Sequence, residues 1–317
     1  MPPGQPIAAA TAADDPEETE WNGTMKLGIG LPTWLGNLVS GREVLDWARR
    51  ADDAGFHAVA VHDRPFHDTW DPLAALAVVA PVTRQVRLAT GALLLPMRDE
   101  ALVAKQAAVI DQVSEGRLDL GVAVGARPED FGLFGRTPAG RGRVFDEQLR
   151  RLGELGDDAN RTTETGDGAG PASVQQPHPA LWIGGYTPAA VERAVAHGDG
   201  FIFGAPGVDM MRERIPGIRS AAAARGRDAF PVAGLAYVLP TTDRGVLETG
   251  ERLLTRYYGT LRKPFLELAV HGDTDSVVEQ LGAYRDAGVD VLHAILVTQD
   301  ASMVDAFARD VLPHFAD

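Results

Sequence analysis

The run His62-Asp63-Arg64-Pro65-Phe66-His67 gathers two imidazoles, a carboxylate and a guanidinium into six residues. These types suit proton handling at His62, Asp63 or His67 and charge stabilisation at Arg64. With Trp34, Phe66 and Trp70 nearby in sequence order, they also suit a pocket for a planar ligand. For Asp63 a buried ion pair with Arg64 or Arg127 explains the residue equally well. A second group is Gly125-Ala126-Arg127-Pro128-Glu129-Asp130. Arg127 suits an anionic ring or a phosphate, whereas Glu129 and Asp130 read as acids that start a helix. A third is Gly184-Gly185-Tyr186-Thr187-Pro188, a glycine turn running into a helix with Pro in its first turn. Bare N–H groups and the positive end of a helix dipole favour phosphate there. The small loop Phe203-Gly204-Ala205-Pro206-Gly207 can close over the same group. Two ordinary strand-to-helix turns are the plainer explanation, and two adjacent ones tilt the balance towards phosphate.

Other chemistries are poorly served. The chain has no cysteine, so disulfides, thiolate metal sites and cysteine nucleophiles are excluded. Its eight histidines show neither H-x-H nor H-E-x-x-H spacing, and His57, His178, His197 and His314 read as surface residues. No G-x-S-x-G elbow marks a serine hydrolase. A formal charge of −14 argues against nucleic acid and anionic membranes as partners. Five of the acids lie in Met1–Thr24, which has no Lys or Arg and is expected to be a disordered tail. No apolar run approaches the roughly 20 residues of a membrane span. No signal-peptide pattern is present, and a cytoplasmic location is expected.

The elements that must position these groups alternate as strand and helix. The first strand is Leu27–Leu31, followed by an amphipathic helix over Arg42–Ala54, a strand at Ala58–Val61 and a helix over Pro72–Val82. The third and fourth strands, Val86 to Pro96 and Leu118 to Gly125, flank a helix expected to bury Leu102, Val103, Gln106, Val109, Ile110 and Val113. A helix over Arg141–Leu155 runs into a polar stretch that ends at Gln176 and reads as a flexible flap. Strands at Ala180–Ile183, Gly200–Phe203, Val232–Leu239 and Val291–Val297 bring the count to eight. Gly28-Ile29-Gly30 lacks the third glycine of a dinucleotide fingerprint, so a single (β/α)8 TIM barrel over residues 25–317 is preferred to an open doubly wound sheet. Ligands then belong beyond the carboxyl ends of the strands.

The order of Leu27-Gly28-Ile29-Gly30-Leu31-Pro32, Thr90-Gly91-Ala92-Leu93-Leu94-Leu95-Pro96, Lys105-Gln106, Gly116-Arg117-Leu118, Arg141-Gly142-Arg143 and Trp182-Ile183-Gly184-Gly185 resembles the bacterial luciferase-like monooxygenase superfamily. The resemblance implies a flavin- or deazaflavin-dependent barrel. A non-proline cis peptide at Gly91-Ala92, after Thr90, would press on the cofactor ring. Gly125 and Arg127 would border the ring or its ribityl chain. Gly184, Gly185, Tyr186, Thr187, Gly204 and Ala205 would hold the phosphate. The substrate would be walled by Trp34, Phe66 and the segment after Leu155. One departure stands out, since Arg64 occupies a place where many relatives carry histidine after the acid.

The resemblance therefore implies an oxidoreductase that uses reduced FMN and O2 on a small organic substrate. A separate flavin reductase and a homodimer go with it. The alternative cofactor is the deazaflavin coenzyme F-420, with hydride transfer in place of oxygenation. A non-catalytic flavin-binding barrel and a hydrolase built on Asp63 and Glu129 remain as other classes.

Overall fold

A computed structural model describes residues 24–156, 170–259 and 265–315 of the 317-residue chain. The acidic tail through position 23 and positions 157–169 of the expected flap lie outside the described residues. Eight parallel strands close on themselves: β1 (Lys26–Gly30), β2 (Ala58–Val61), β3 (Arg87–Thr90), β4 (Leu118–Ala123), β5 (Ala180–Gly184), β6 (Gly200–Ile202), β7 (Val232–Leu239) and β8 (Val291–Leu296). Each pairs with the next, and β8 pairs with both β7 and β1, in register Ala294 to Ala236 and Lys26 to Val291. Helices surround this ring, so the fold is a TIM barrel. The strands are apolar on both sides because one face meets helices and the other fills the barrel. A Cβ at Gly28 would sit 2.5 Å from His293 Nδ1, so glycine there makes room for an imidazole within the barrel.

Local signals account for the helices. Ser40 and Glu43 form a capping box at the start of α1 (Gly41–Asp53). Asp71 and Asp99 cap α2 (Pro72–Val79) and α3 (Glu100–Val113). The expected buried face of α3 is corrected by the structure. Val103, Ala107, Ile110 and Asp111 are buried, while Leu102, Val109 and Val113 are exposed. Two adjoining apolar rows run along this helix, and its packing onto the barrel selects the one through Ala107. Asp111 goes inward because Gln175 donates to it through its backbone N (2.9 Å) and Nε2 (2.7 Å). Gln175 Nε2 also reaches the Leu118 carbonyl at 2.8 Å. Residues 170–176 are thus tied to the start of β4, away from the carboxyl rim, and do not wall a site there. His57 and His178, expected at the surface, are half-buried.

Two elements at the rim escape the simple alternation. A short helix, α4 (Pro128–Leu133), precedes α5 (Arg141–Gly156), and α6 (Pro188–His197) and α7 (Val208–Ala223) follow β5 and β6. After β7 the chain makes an excursion that includes α8 (Arg244–Tyr258) and returns at Val270–His271, which pair with Val238–Leu239. Only then does α9 (Thr274–Asp286) run down to β8.

Candidate functional site

A cavity of about 180 Å³ opens at the carboxyl ends of the strands. Its lining comes from His62, Asp63 and Arg64 after β2, Gly91 and Leu94 after β3, and Ala126, Arg127 and Asp130 around the start of α4. Tyr186, Gly204 and Ala205 follow β5 and β6, Leu235 and Tyr237 stand on β7, and Tyr257 and Tyr258 end α8. Ala126 and Tyr186 are exposed and form its mouth.

His62 is buried and stacks on Tyr237, with ring centroids 6.4 Å apart and planes 9° from parallel. Burial pulls its pKa down to about 4, so the ring is neutral at neutral pH, and its Nδ1 has no hydrogen-bond partner. Asp63 accepts from Arg98 Nη2 at 2.9 Å and from the Leu94 N–H at 2.8 Å. The expected partners Arg64 and Arg127 are not the ones it takes, because the turn after β3 brings Arg98 and a bare N–H to the carboxylate. Burial nevertheless pushes the Asp63 carboxyl above its usual range, against the pull of Arg98. Arg64 is buried, with Nη2 3.7 Å from Glu129 Oε1. Its Cζ lies 5.3 Å from the Tyr257 ring centre, and Arg127 Cζ lies 5.2 Å from that of Tyr258.

Several sequence candidates stand elsewhere. His67 turns away from the cavity, with Nδ1 2.9 Å from Asp68 and Nε2 3.3 Å from the Arg256 carbonyl. Trp34 is buried behind the site, edge-on to Tyr237 at 6.2 Å and to Tyr257 at 5.7 Å. Phe66 is 57% exposed, and its N–H donates to Asp130 at 2.9 Å. Asp130 and Glu129 both lie in the first turn of α4, as helix-starting acids should. Thr90 Oγ1 donates to the Gly121 carbonyl at 2.6 Å inside the barrel, below the cavity. The Gly91-Ala92 peptide bond is cis. Gly125, at φ +74°, borders the site without lining it.

The glycine turns lie at the mouth. Thr187 caps α6 by accepting the Ala190 N–H at 3.3 Å, and Pro188 opens the first turn. A Cβ at Gly204 would collide with the Tyr186 hydroxyl, so glycine lets that ring lie against the backbone, whose Gly204 carbonyl accepts the Leu235 N–H at 3.2 Å. Arg214 of α7 donates to the Tyr186 carbonyl at 3.0 Å and brings a cation close to the turn. Gly184, Gly185 and Thr187 do not line the cavity, although Tyr186 does.

Sequence reasoning missed Tyr237, Tyr257 and Tyr258, although four of the chain's five tyrosines line this one cavity. Tyr237 alternates with Leu235 on the inward side of β7, a period-two signal that was available. The other pair arrives by the excursion after β7, for which no local pattern exists. Tyr237 Oη and Tyr258 Oη are 2.8 Å apart, and burial raises the pKa of both rings and of Tyr257, so all three stay protonated at neutral pH. Among the described residues no group of three or more His, Asp or Glu side chains is placed to hold a metal ion, and no helix is long and apolar enough to cross a membrane.

Comparison with known proteins agrees with this geometry. The chain is 29% identical over 171 residues to the oxygenase component of a flavin-dependent trigonelline monooxygenase of Acinetobacter baylyi, covering 49% of this chain and 46% of that one. It spans about half the length of the curated relatives it matches. The structure of the monooxygenase RslO1 from Streptomyces bottropensis superposes with a TM-score of 0.78 at 25% identity, covering 92% of this chain and all of that one. An F420-dependent secondary alcohol dehydrogenase superposes at 0.73 with 20% identity, covering 93% and 100%, and shares the fold. The profile of the family described as luciferase-like monooxygenase matches residues 25–258. With that match over most of its barrel, the chain belongs to the luciferase-like monooxygenase family.

Proposed function

We propose that the protein is a luciferase-like oxidoreductase that uses reduced FMN and O2 to oxygenate a small organic substrate. The observation that carries this reading is a single cavity joining the small Gly204-Ala205 turn to an aromatic, guanidinium-lined end at β2 and β7. The residues present fit a flavin phosphate and ring. Gly204 and Ala205 would face the phosphate side, next to the α6 N-terminus and Arg214. Gly91, Leu94 and Leu235 would face the ring. Bound reduced FMN supplies the electrons that activate O2. The protein supplies the surroundings: Leu94, Leu235 and the tyrosine rings exclude water from the cavity floor. His62 can accept a hydrogen bond at its unpartnered Nδ1 as a neutral ring, and the Tyr237–Tyr258 pair can donate a proton. Asp63 serves Arg98 and is not the free base.

The flavin-dependent relative favours FMN. The F420-dependent neighbour supports a second reading, hydride transfer with coenzyme F-420 in the same cavity. Fluorescence titration of the apoprotein with each cofactor, oxidised and reduced, separates them. FMN binding at micromolar concentration with O2 uptake supports oxygenation, and F-420 binding alone supports hydride transfer. FMN binding without turnover marks a flavin-binding barrel, and binding of neither overturns the proposal. A flavin reductase as electron source and a homodimer belong to the same reading. The exposed row Leu102, Val109 and Val113 on α3 is a face suited to a second copy, and sedimentation velocity tests that.

A further inference from the structure

We infer that Arg64 is an anion receptor and that the substrate carries a carboxylate which its guanidinium binds. This rests on the reading of the cavity given above. The Arg64 side chain is 8% exposed, and neither Nε nor Nη1 has a hydrogen-bond partner. A buried cation with unmet donors is costly to keep, and an anion bound to it offsets that cost. The carboxylates nearby do not meet those donors. Glu129 stands 3.7 Å from Nη2 and is 39% exposed. Asp130 accepts from the Phe66 N–H, and Asp63 is held by Arg98.

The setting is built to keep the charge in place. Arg64 lies over Tyr257 and Arg127 over Tyr258, two consecutive rings in the last turn of α8. Arg127 Nη1 also donates to the Tyr258 carbonyl at 3.2 Å. Ring faces attract cations without using their in-plane N–H donors. Two guanidiniums therefore converge on one end of a small cavity, in a chain whose net charge is −14.

That anion is not the cofactor phosphate. Arg64 follows β2, whereas Gly204 follows β6, four strands away around an eight-strand ring and so across the barrel mouth. Arg64 lies over Tyr257, and the cavity walls also include Leu94 and Tyr237, which suit a compact apolar body bearing one charged group. Carboxylate is the group that matches a guanidinium in charge and planarity.

The test uses benzoate and its neutral isostere benzamide as probes, titrated calorimetrically into the apoprotein, with FMN and F-420 titrated in parallel. Wild type should bind benzoate about tenfold or more tighter than benzamide, as one charge-assisted contact predicts. Arg64→Gln should abolish that preference, Arg64→Lys should keep part of it, and cofactor affinity should hold in both. Arg64→Lys also serves as the folded comparison if the neutral variant is unstable. No benzoate binding, equal binding of both probes, or an unchanged preference in Arg64→Gln overturns the inference. So does a variant that loses cofactor affinity in parallel with benzoate, because the guanidinium then serves the cofactor. If wild type binds benzoate through Arg64 but neither cofactor, the oxidoreductase reading fails while the anion receptor stands.

Discussion

Asp63 and Arg98, 35 residues apart in sequence, form the ion pair that anchors the rim of the cavity, with Oδ2 and Nη2 at 2.9 Å. Their side chains are 3% and 16% exposed, and the Leu94 N–H supports the same oxygen at 2.8 Å. The pair ties the end of β2 to the turn after β3, the two segments that supply His62, Arg64 and Gly91 to the site.

Removing one partner leaves a buried charge, so Arg98→Met should cost about 3 to 5 kcal/mol of stability. Asp63→Asn combined with Arg98→Met should cost clearly less than the two single changes added together. Urea denaturation of the four proteins in this cycle measures the coupling, and strict additivity refutes the pairing.

Acid should destabilise the barrel through its buried imidazoles. Burial lowers His57 and His62 to about 4 and His293 to about 3, from an ordinary value of 6.5. The unfolded chain takes up protons below pH 6.5 that these native rings refuse, so their contribution is intact above 6.5 and falls as pH drops towards 4. Each ring removes up to about 1.4 kcal/mol per pH unit within that window. Asp63, Asp130 and Asp290 work in the opposite sense, since burial raises their carboxyls and makes their ionised forms costly as pH rises. Comparing wild type with His62→Gln between pH 7.5 and 5 isolates the imidazole contribution. The variant should lose stability less steeply on acidification, and equal slopes would show that His62 is not the titrating group.

Gly204→Ala places a methyl against the Tyr186 hydroxyl, at the far end of a side chain that is 46% exposed and can swing aside. Folding should change by less than about 1 kcal/mol, as at other mobile surface sites. FMN affinity should fall about tenfold, or about 1.4 kcal/mol, because the methyl and the displaced Tyr186 ring take up space at the phosphate end. Fluorescence quenching reads the affinity, and an unaltered dissociation constant would remove Gly204 from the phosphate cradle.

Gly153, inside α5, is exposed, and a Cβ there would meet nothing within 4 Å. Gly153→Ala should therefore stabilise the protein by about 0.5 to 1 kcal/mol, the helix-propensity difference. A rise in melting temperature without altered cofactor binding is the expected result, and a fall would place an unseen contact at that surface.

The barrel was legible in the linear chain because its signals are short-range. Apolar runs punctuated by glycine and proline set β2 at Ala58–Val61 and β7 at Val232–Leu239, and Thr187-Pro188 marks the start of α6 from its own chemistry. Strand ends then dictate which loops meet at the rim, so Asp63, Arg64, Arg127 and Gly204 could be gathered before any contact was known. Their partners could not. Asp63 chose Arg98, Arg127 chose the Tyr258 carbonyl 131 residues away, and α3 buried Ala107 while leaving Val109 exposed. Each of these outcomes depends on which surface closes over which, a matter of packing between segments far apart in sequence. Residue type and spacing determined the barrel and the rim at which the cavity opens. Only the closed tertiary structure brought four tyrosines and two guanidiniums into one cavity, because the excursion after β7 carries no periodicity that points to where it lands.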